Sequence, residues 1–200
     1  MNSVGHIWSA ICGLCLSHSS FGKKAVPTFS GFLETFRLPG DVWFQSHGFD
    51  FPSAVIRETL RHAPDTAEMF SMVPPMLQSF RKSQPKLPII MISAGDQPRV
   101  ERQLEEGGIR HYFESVIGET PDKAETISSF CSLWGICPAK AVYVGDMPSD
   151  VEHSQEAGVV PIGFTDGQPM MERVLTAAGA RHCVSNHEAL GNLLVELARG

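Results

Sequence analysis

One ten-residue stretch, Ala141-Val-Tyr-Val-Gly-Asp-Met-Pro-Ser-Asp150, constrains the fold of this chain more than any other. A short β-branched and apolar run stops at a Gly-Asp turn. A second carboxylate follows four residues later, where a helix is expected to start. In open α/β sheets, ligands bind beyond the carboxyl ends of the strands. Hard cations take oxygen ligands, and Mg²⁺ usually needs only one or two carboxylates beside substrate phosphate and water. Asp146 and Asp150 are therefore candidate metal ligands. The plain alternative is a strand–turn–helix in which Asp150 is a helix N-cap.

Two more segments bear on that choice. Leu87-Pro-Ile-Ile-Met-Ile-Ser-Ala-Gly95 reads as a buried strand, apolar almost throughout, that stops at a small hydroxyl residue and a glycine. The Ser93 hydroxyl and the Ala94 and Gly95 amides are candidate phosphate donors. Taken alone, this is also an ordinary strand-to-loop turn. In Thr120-Pro-Asp-Lys-Ala-Glu-Thr-Ile127, Lys123 falls in the first turn of an expected helix. A lysine there opposes the helix dipole, so it suits a site where its ammonium meets an anion better than a bare surface.

The rest of the chain alternates. Strand 87–93 leads to helix 98–106, and a short strand is expected near Val116-Ile117. Helix 122–134 leads to strand 140–144 and helix 149–157. Strand 159–163 leads to helix 168–178, and strand 181–184 to helix 187–198. This order predicts an α/β fold, a mainly parallel sheet with helices on both faces. Residues 1–72 read as helices and loops, with helices expected over Phe29–Phe36 and from Phe51 to Leu60.

Composition excludes several classes. Two hundred residues at 42% hydrophobic and 19% charged suit a globular domain with an insertion. A net charge of −6 without a Lys/Arg run argues against nucleic acid. No apolar run approaches the ~20 residues of a membrane span. Five cysteines, an odd number, argue against a disulfide framework and for the cytoplasm. Cys12-Gly-Leu-Cys15 lacks a second ligand pair for zinc, and no histidine is assigned to a site.

Taken in order, Ser93, Lys123 and Gly145-Asp146 with Asp150 resemble the second, third and fourth motifs of the haloacid dehalogenase-like hydrolases. Ala157-Gly-Val-Val-Pro-Ile-Gly163 is similar to the helix end and strand that follow in that family. The resemblance covers roughly residues 73–200. It implies a Rossmannoid core over 73–200, a first core helix over 1–14 and an inserted helical cap over 15–72, in the manner of phosphoglycolate phosphatases. It also implies Mg²⁺-dependent hydrolysis of a small phosphorylated metabolite. Ser93 and Lys123 would grip the phosphoryl oxygens, Asp146 would ligate the metal, and Asp150 would orient a metal-bound water or Lys123.

The family's first motif is absent: no Asp-x-Asp occurs in these 200 residues. That motif supplies the nucleophile and the acid–base partner on the central strand. Residues 1–11 resemble the stretch that follows it, so Met1 is expected to fall just after the nucleophile strand. The chain is then expected to be inactive and to lack a central strand between those carrying Ser93 and Asp146. Val42-Trp-Phe-Gln45 is the one N-terminal segment considered as a substitute. A non-catalytic relative that binds a phosphorylated ligand or a protein stays open as the alternative.

Overall fold

The computed structural model describes residues 11–12, 28–36, 40–61, 71–120 and 122–199. The chain divides into two compact units, Met1–Glu68 and Met69–Gly200. The expected first core helix over 1–14 lies outside the described residues except for Ile11 and Cys12.

In the first unit the described residues form α1 (Phe29–Thr35), α2 (Gly40–Ser46) and α3 (Ser53–Arg61). The Thr28 hydroxyl accepts the Gly31 amide at 3.1 Å and so starts α1. Aromatic rings make its core. Phe32 and Phe36 lie 4.7 Å apart, and Phe44 meets Phe51 edge-on at 5.1 Å. Such tilted and edge-to-face pairs add to plain burial.

Val42–Gln45 is helical, inside α2, and does not stand in for a strand. Trp43 and Phe44 are consecutive and both buried, whereas Val42 is exposed. A strand would send neighbouring side chains to opposite faces, but a helix can bury both on one side.

The second unit runs α4 (Val73–Ser83), β1 (Ile90–Ile92), α5 (Gln97–Glu106), β2 (Ser115–Ile117), α6 (Ala124–Leu133) and β3 (Val142–Gly145). It continues with α7 (Pro148–Glu156), β4 (Val160–Phe164), α8 (Pro169–Ala178), β5 (His182–Val184) and α9 (His187–Leu197). Local signals account for the boundaries. Pro74 occupies the first turn of α4, and the Asp96 carboxylate accepts the Arg99 amide at 3.2 Å to start α5. Gly135, at φ 63°, lets the chain leave α6.

All strand pairings are parallel, but the strands form two sheets. β1 pairs with β2, Met91 opposite Val116. β4 lies between β3 and β5, with Val144 opposite Ile162 and Gly163 opposite Cys183. No strand among the described residues joins β1 to β3.

Helices cover both faces of the split and hold it together. On one face Ile127 and Cys131 of α6 pack with Ile92 of β1, and Tyr143 of β3 joins the same cluster. On the other, Met76 of α4 packs both with the cluster holding Met91 and with the one holding Val144.

Candidate functional site

β3 delivers Asp146 just past its last residue, and α7 begins two residues later. Asp150 sits in the first turn of α7 and is only 5% exposed. One carboxylate oxygen, Oδ2, accepts the Met147 amide at 3.1 Å. The other, Oδ1, accepts from Lys123 Nζ at 2.6 Å. Asp150 is thus not the N-cap residue, which is Met147; it stands three positions further on, its carboxylate accepts the N-cap amide, and it also holds Lys123. Ser154 Oγ donates to the Asp150 carbonyl at 2.6 Å and fixes the turn.

Gly145 makes this geometry possible. A Cβ there would fall 2.2 Å from Asp150 Cβ, a distance side chains do not reach. The glycine of the Gly-Asp turn is thus required by the close approach of Asp150.

Lys123 is the N-cap residue of α6, one position before its first turn, and caps with no side chain of its own. The Asp122 carboxylate accepts the Ala124 amide at 3.1 Å in that role. Lys123 is freed to fold back onto Asp150, with 14% of its side chain exposed. Burial by itself pulls the ammonium pKa down. The Asp150 carboxylate and the Tyr143 hydroxyl outweigh it, and the Lys123 pKa is raised above its ordinary value. Nζ also lies 5.6 Å from the centre of the Tyr143 ring, within cation–π range.

Ser93 follows β1. Its amide donates to the Ile117 carbonyl at 2.8 Å, and its carbonyl accepts from Thr120 at 3.0 Å. These bonds close the β1 end onto the loop after β2. The Gly95 amide donates to Ser93 Oγ at 3.0 Å, so that amide already serves the hydroxyl oxygen. Behind this loop, Gln97 Nε2 donates to the Val116 carbonyl at 3.1 Å and Gln97 Oε1 accepts the Gly118 amide. A Cβ at Gly118 would fall 2.6 Å from Gln97 Cα.

The structure thus brings Lys123 and Asp150 into contact, and Asp146 lies just past the end of β3, in the turn that leads to Asp150. Ser93 sits on the other sheet. Its strand is linked to the pair by Tyr143, whose hydroxyl donates to the Ile92 carbonyl at 3.3 Å. Sequence reasoning passed over Tyr143, Gln97 and Gly118. Tyr143 had one signal, a polar tip in an otherwise apolar strand, which needs a partner when buried. Burial pushes its phenol up to about 12.

The donor set suits a hard cation. Among the described residues no group of three or more His, Cys, Asp or Glu side chains gathers that could hold a metal ion by itself. Two carboxylates at a strand end, one of them already committed to a lysine, fit Mg²⁺, which completes its shell from phosphate and water.

Comparison with known proteins agrees with the fold. A haloacid dehalogenase-like hydrolase family profile matches residues 33–164. A phosphoglycolate phosphatase of Synechococcus elongatus is 30% identical over 87 residues, 40% of this chain. That match spans only 41% of the relative's length. A predicted phosphatase from Clostridium acetobutylicum superposes with a TM-score of 0.71 at 16% identity, over 97% of this chain and 92% of that one. A HAD family hydrolase from Deinococcus radiodurans, solved with phosphate and sodium, gives 0.65 at 17% identity, over 98% and 91%. At such identities the structural likeness shows a shared fold.

Proposed function

The chain belongs to the haloacid dehalogenase-like hydrolases, and we propose that its core is the phosphate-gripping part of an Mg²⁺-dependent phosphomonoester hydrolase acting on a small phosphorylated metabolite. The observation that carries this reading is the buried Lys123–Asp150 pair at 2.6 Å, held at the end of β3 next to Asp146.

In this reading Lys123 presents a fixed positive charge to the phosphoryl oxygens. Asp150 keeps it charged and aimed. Ser93 donates its hydroxyl to a second oxygen, and the Ala94 and Gly95 amides line the same turn. Asp146 would hold Mg²⁺, with Asp150 as its second candidate ligand or, since both its oxygens already accept hydrogen bonds, as the group that orients Lys123 or a metal-bound water. The metal supplies charge neutralisation as the phosphoryl group moves. Such transfers depend mainly on positioning and electrostatics, which a preorganised clamp provides.

The clamp has no covalent nucleophile, because no Asp-x-Asp occurs in these 200 residues. The 200 residues alone are therefore expected to bind phosphate with Mg²⁺ and not to turn over. A non-catalytic phospho-ligand-binding relative is the second reading, favoured by that same absent motif. The boundaries 1–14, 15–72 and 73–200 for first helix, substrate-selecting cap and core belong to this proposal. So does the cytoplasm, which the free Cys12, Cys131, Cys137 and Cys183 suit. No described helix is long and apolar enough to cross a membrane.

The test pairs two measurements on the 200-residue chain and on Asp146→Asn. One is ³¹P NMR titration with inorganic phosphate and Mg²⁺. The other is hydrolysis of p-nitrophenyl phosphate. Mg²⁺-dependent phosphate binding that is lost in the variant supports the clamp. Absence of phosphate binding by folded protein overturns it. Turnover abolished by the variant would place a nucleophile within these residues and overturn the inactive reading.

A further inference from the structure

Helix α7 carries a histidine that the clamp proposed above does not use. His153 lies three residues after Asp150, so the two side chains leave one face of the helix on neighbouring turns. His153 Nε2 stands 4.0 Å from Asp122 Oδ1. That same Asp122 oxygen accepts the Ala124 amide at 3.1 Å, in the turn that starts α6. The other ring nitrogen, Nδ1, is buried and has no hydrogen-bond partner among the described residues. A neutral imidazole carries one donor and one acceptor, and its surroundings decide which nitrogen holds the proton. Nε2 faces a carboxylate and Nδ1 faces no partner, so the neutral ring carries its proton on Nε2 and leaves the Nδ1 lone pair unmet.

The two helices thus meet through two pairs. Asp122 and Lys123 are consecutive at the start of α6, and Asp150 and His153 lie one turn apart on α7. Lys123 Nζ donates to Asp150 Oδ1 at 2.6 Å, and Asp122 faces His153. Each helix offers one acid and one base, and each acid meets the other helix's base.

Stability gives little reason for the second pair. The His153 side chain is 18% exposed and that of Asp122 73%, so solvent screens their attraction. At 4.0 Å the approach is electrostatic, since a hydrogen bond needs about 3 Å. The unmet Nδ1 costs free energy where it lies, and an apolar side chain of similar bulk would avoid that cost. What the pair does touch is the place where α6 begins. Lys123 is the N-cap residue and caps nothing with its own side chain, so its direction follows the turn that Asp122 holds.

We propose that His153 is a positioning residue for Lys123. By drawing the Asp122 carboxylate toward α7, it fixes the first turn of α6 and with it the aim of the lysine at a phosphoryl oxygen. This role rests on the phosphate clamp proposed above.

Three variants of the 200-residue chain test it. His153→Leu keeps the bulk and removes the donor. His153→Gln returns an amide donor to the place of Nε2. Asp122→Asn removes the charge and keeps an oxygen for the Ala124 amide. Inorganic phosphate affinity is read by ³¹P NMR with Mg²⁺ present, the Lys123 side-chain NMR signal is read without phosphate, and urea unfolding is followed in parallel. His153→Leu is expected to weaken phosphate binding at least threefold and to move the Lys123 signal, with the urea midpoint unchanged or higher. His153→Gln should restore both the affinity and the signal. Asp122→Asn should act as His153→Leu does, and the double variant should be no worse than either single one, as for groups that act as one unit.

The proposal is overturned if folded His153→Leu keeps both the affinity and the Lys123 signal of the parent, or if the two single losses simply add. It is also overturned if His153→Gln behaves like His153→Leu, which would make the ring a packing group. Absence of phosphate binding by the parent chain would sink the clamp and not this role. The Lys123 signal then decides alone: movement in His153→Leu but not in His153→Gln upholds the positioning, and no movement ends it.

Discussion

The two sheets of the core make a natural experiment. β3–β4–β5 surrounds a central strand that is paired on both edges and covered on both faces. Among the described residues, β1–β2 has two strands, each paired with the other alone. The site is divided accordingly. Lys123 and Asp150 are locked together against the larger sheet, with side chains 14% and 7% exposed. Ser93 stands at the end of the smaller sheet, in a turn held by backbone bonds and by Gln97. In the proposed clamp, the charged half is thus built on the sheet with more strand pairings, which is expected to be the stiffer support, and the hydroxyl half depends on how well β1 is held.

The sharpest way to break that contrast is to remove Asp150. Asp150→Ala leaves the Lys123 ammonium buried without its counter-charge and should cost about 3–5 kcal/mol in urea unfolding. Lys123→Met on top of it removes the stranded charge and should recover part of the loss. If the double variant is no more stable than the single one, the ion pair is not what organises this end of β3.

The second comparison sets two glycines against each other. Gly145→Ala drives a methyl into Asp150 Cβ, 2.2 Å away, and Gly118→Ala drives one into Gln97 Cα, 2.6 Å away. Overpacking of this kind costs about 1–3 kcal/mol. We expect Gly145→Ala at the top of that range, because the stiffer support cannot yield, and Gly118→Ala nearer the bottom. Equal losses would mean that the two sheets are equally rigid.

Those contrasts also explain what the sequence made legible. The places of Asp146, Lys123 and Ser93 could be read because each follows or precedes a regular element, and turns at strand ends leave a mark in residue type. The αβ alternation was readable for the same reason. Where apolar runs were long, as over residues 87–93, the observed strand is shorter, Ile90–Ile92, because apolar character alone does not set hydrogen-bonded length. Val42–Gln45 looked like a strand by composition, but the aromatic cluster of the first unit made it helical. Tyr143 and Gln97 were invisible because their roles lie in contacts 51 and 21 positions away along the chain.

pH offers a third test, confined to the junction between the sheets. The Tyr143 phenol is pushed up from 10 to about 12, chiefly by burial. A group whose folded pKa is raised gives its full contribution below the unfolded pKa and loses it as pH climbs through the folded one. Stability should therefore fall between pH 10 and 12, by about 2–3 kcal/mol from two pKa steps. Lys123, also raised, adds to the loss from its ordinary value upward. Tyr143→Phe should flatten the part of the curve between 10 and 12. An unchanged alkaline slope in that variant would show that the phenol does not titrate across the split.

The smallest expected effect concerns the clip that holds the smaller sheet. Arg81 of α4 donates to the Leu87 and Tyr112 carbonyls, and its guanidinium meets Glu114 at 2.7 Å. Glu114 in turn accepts the Ile89 amide, at the entrance to β1. Its side chain is 42% exposed, so solvent screens the ion pair and most of the value lies in the hydrogen bonds. Arg81→Met should cost about 1 kcal/mol, and Glu114→Gln less. Their use lies in direction. If the smaller sheet is the looser support, Arg81→Met should speed amide exchange at Met91 and Ser93 while leaving Ile162 and Val184 untouched. Equal acceleration in both sheets would show that they open as one unit, and the contrast between them would be a matter of strand number alone.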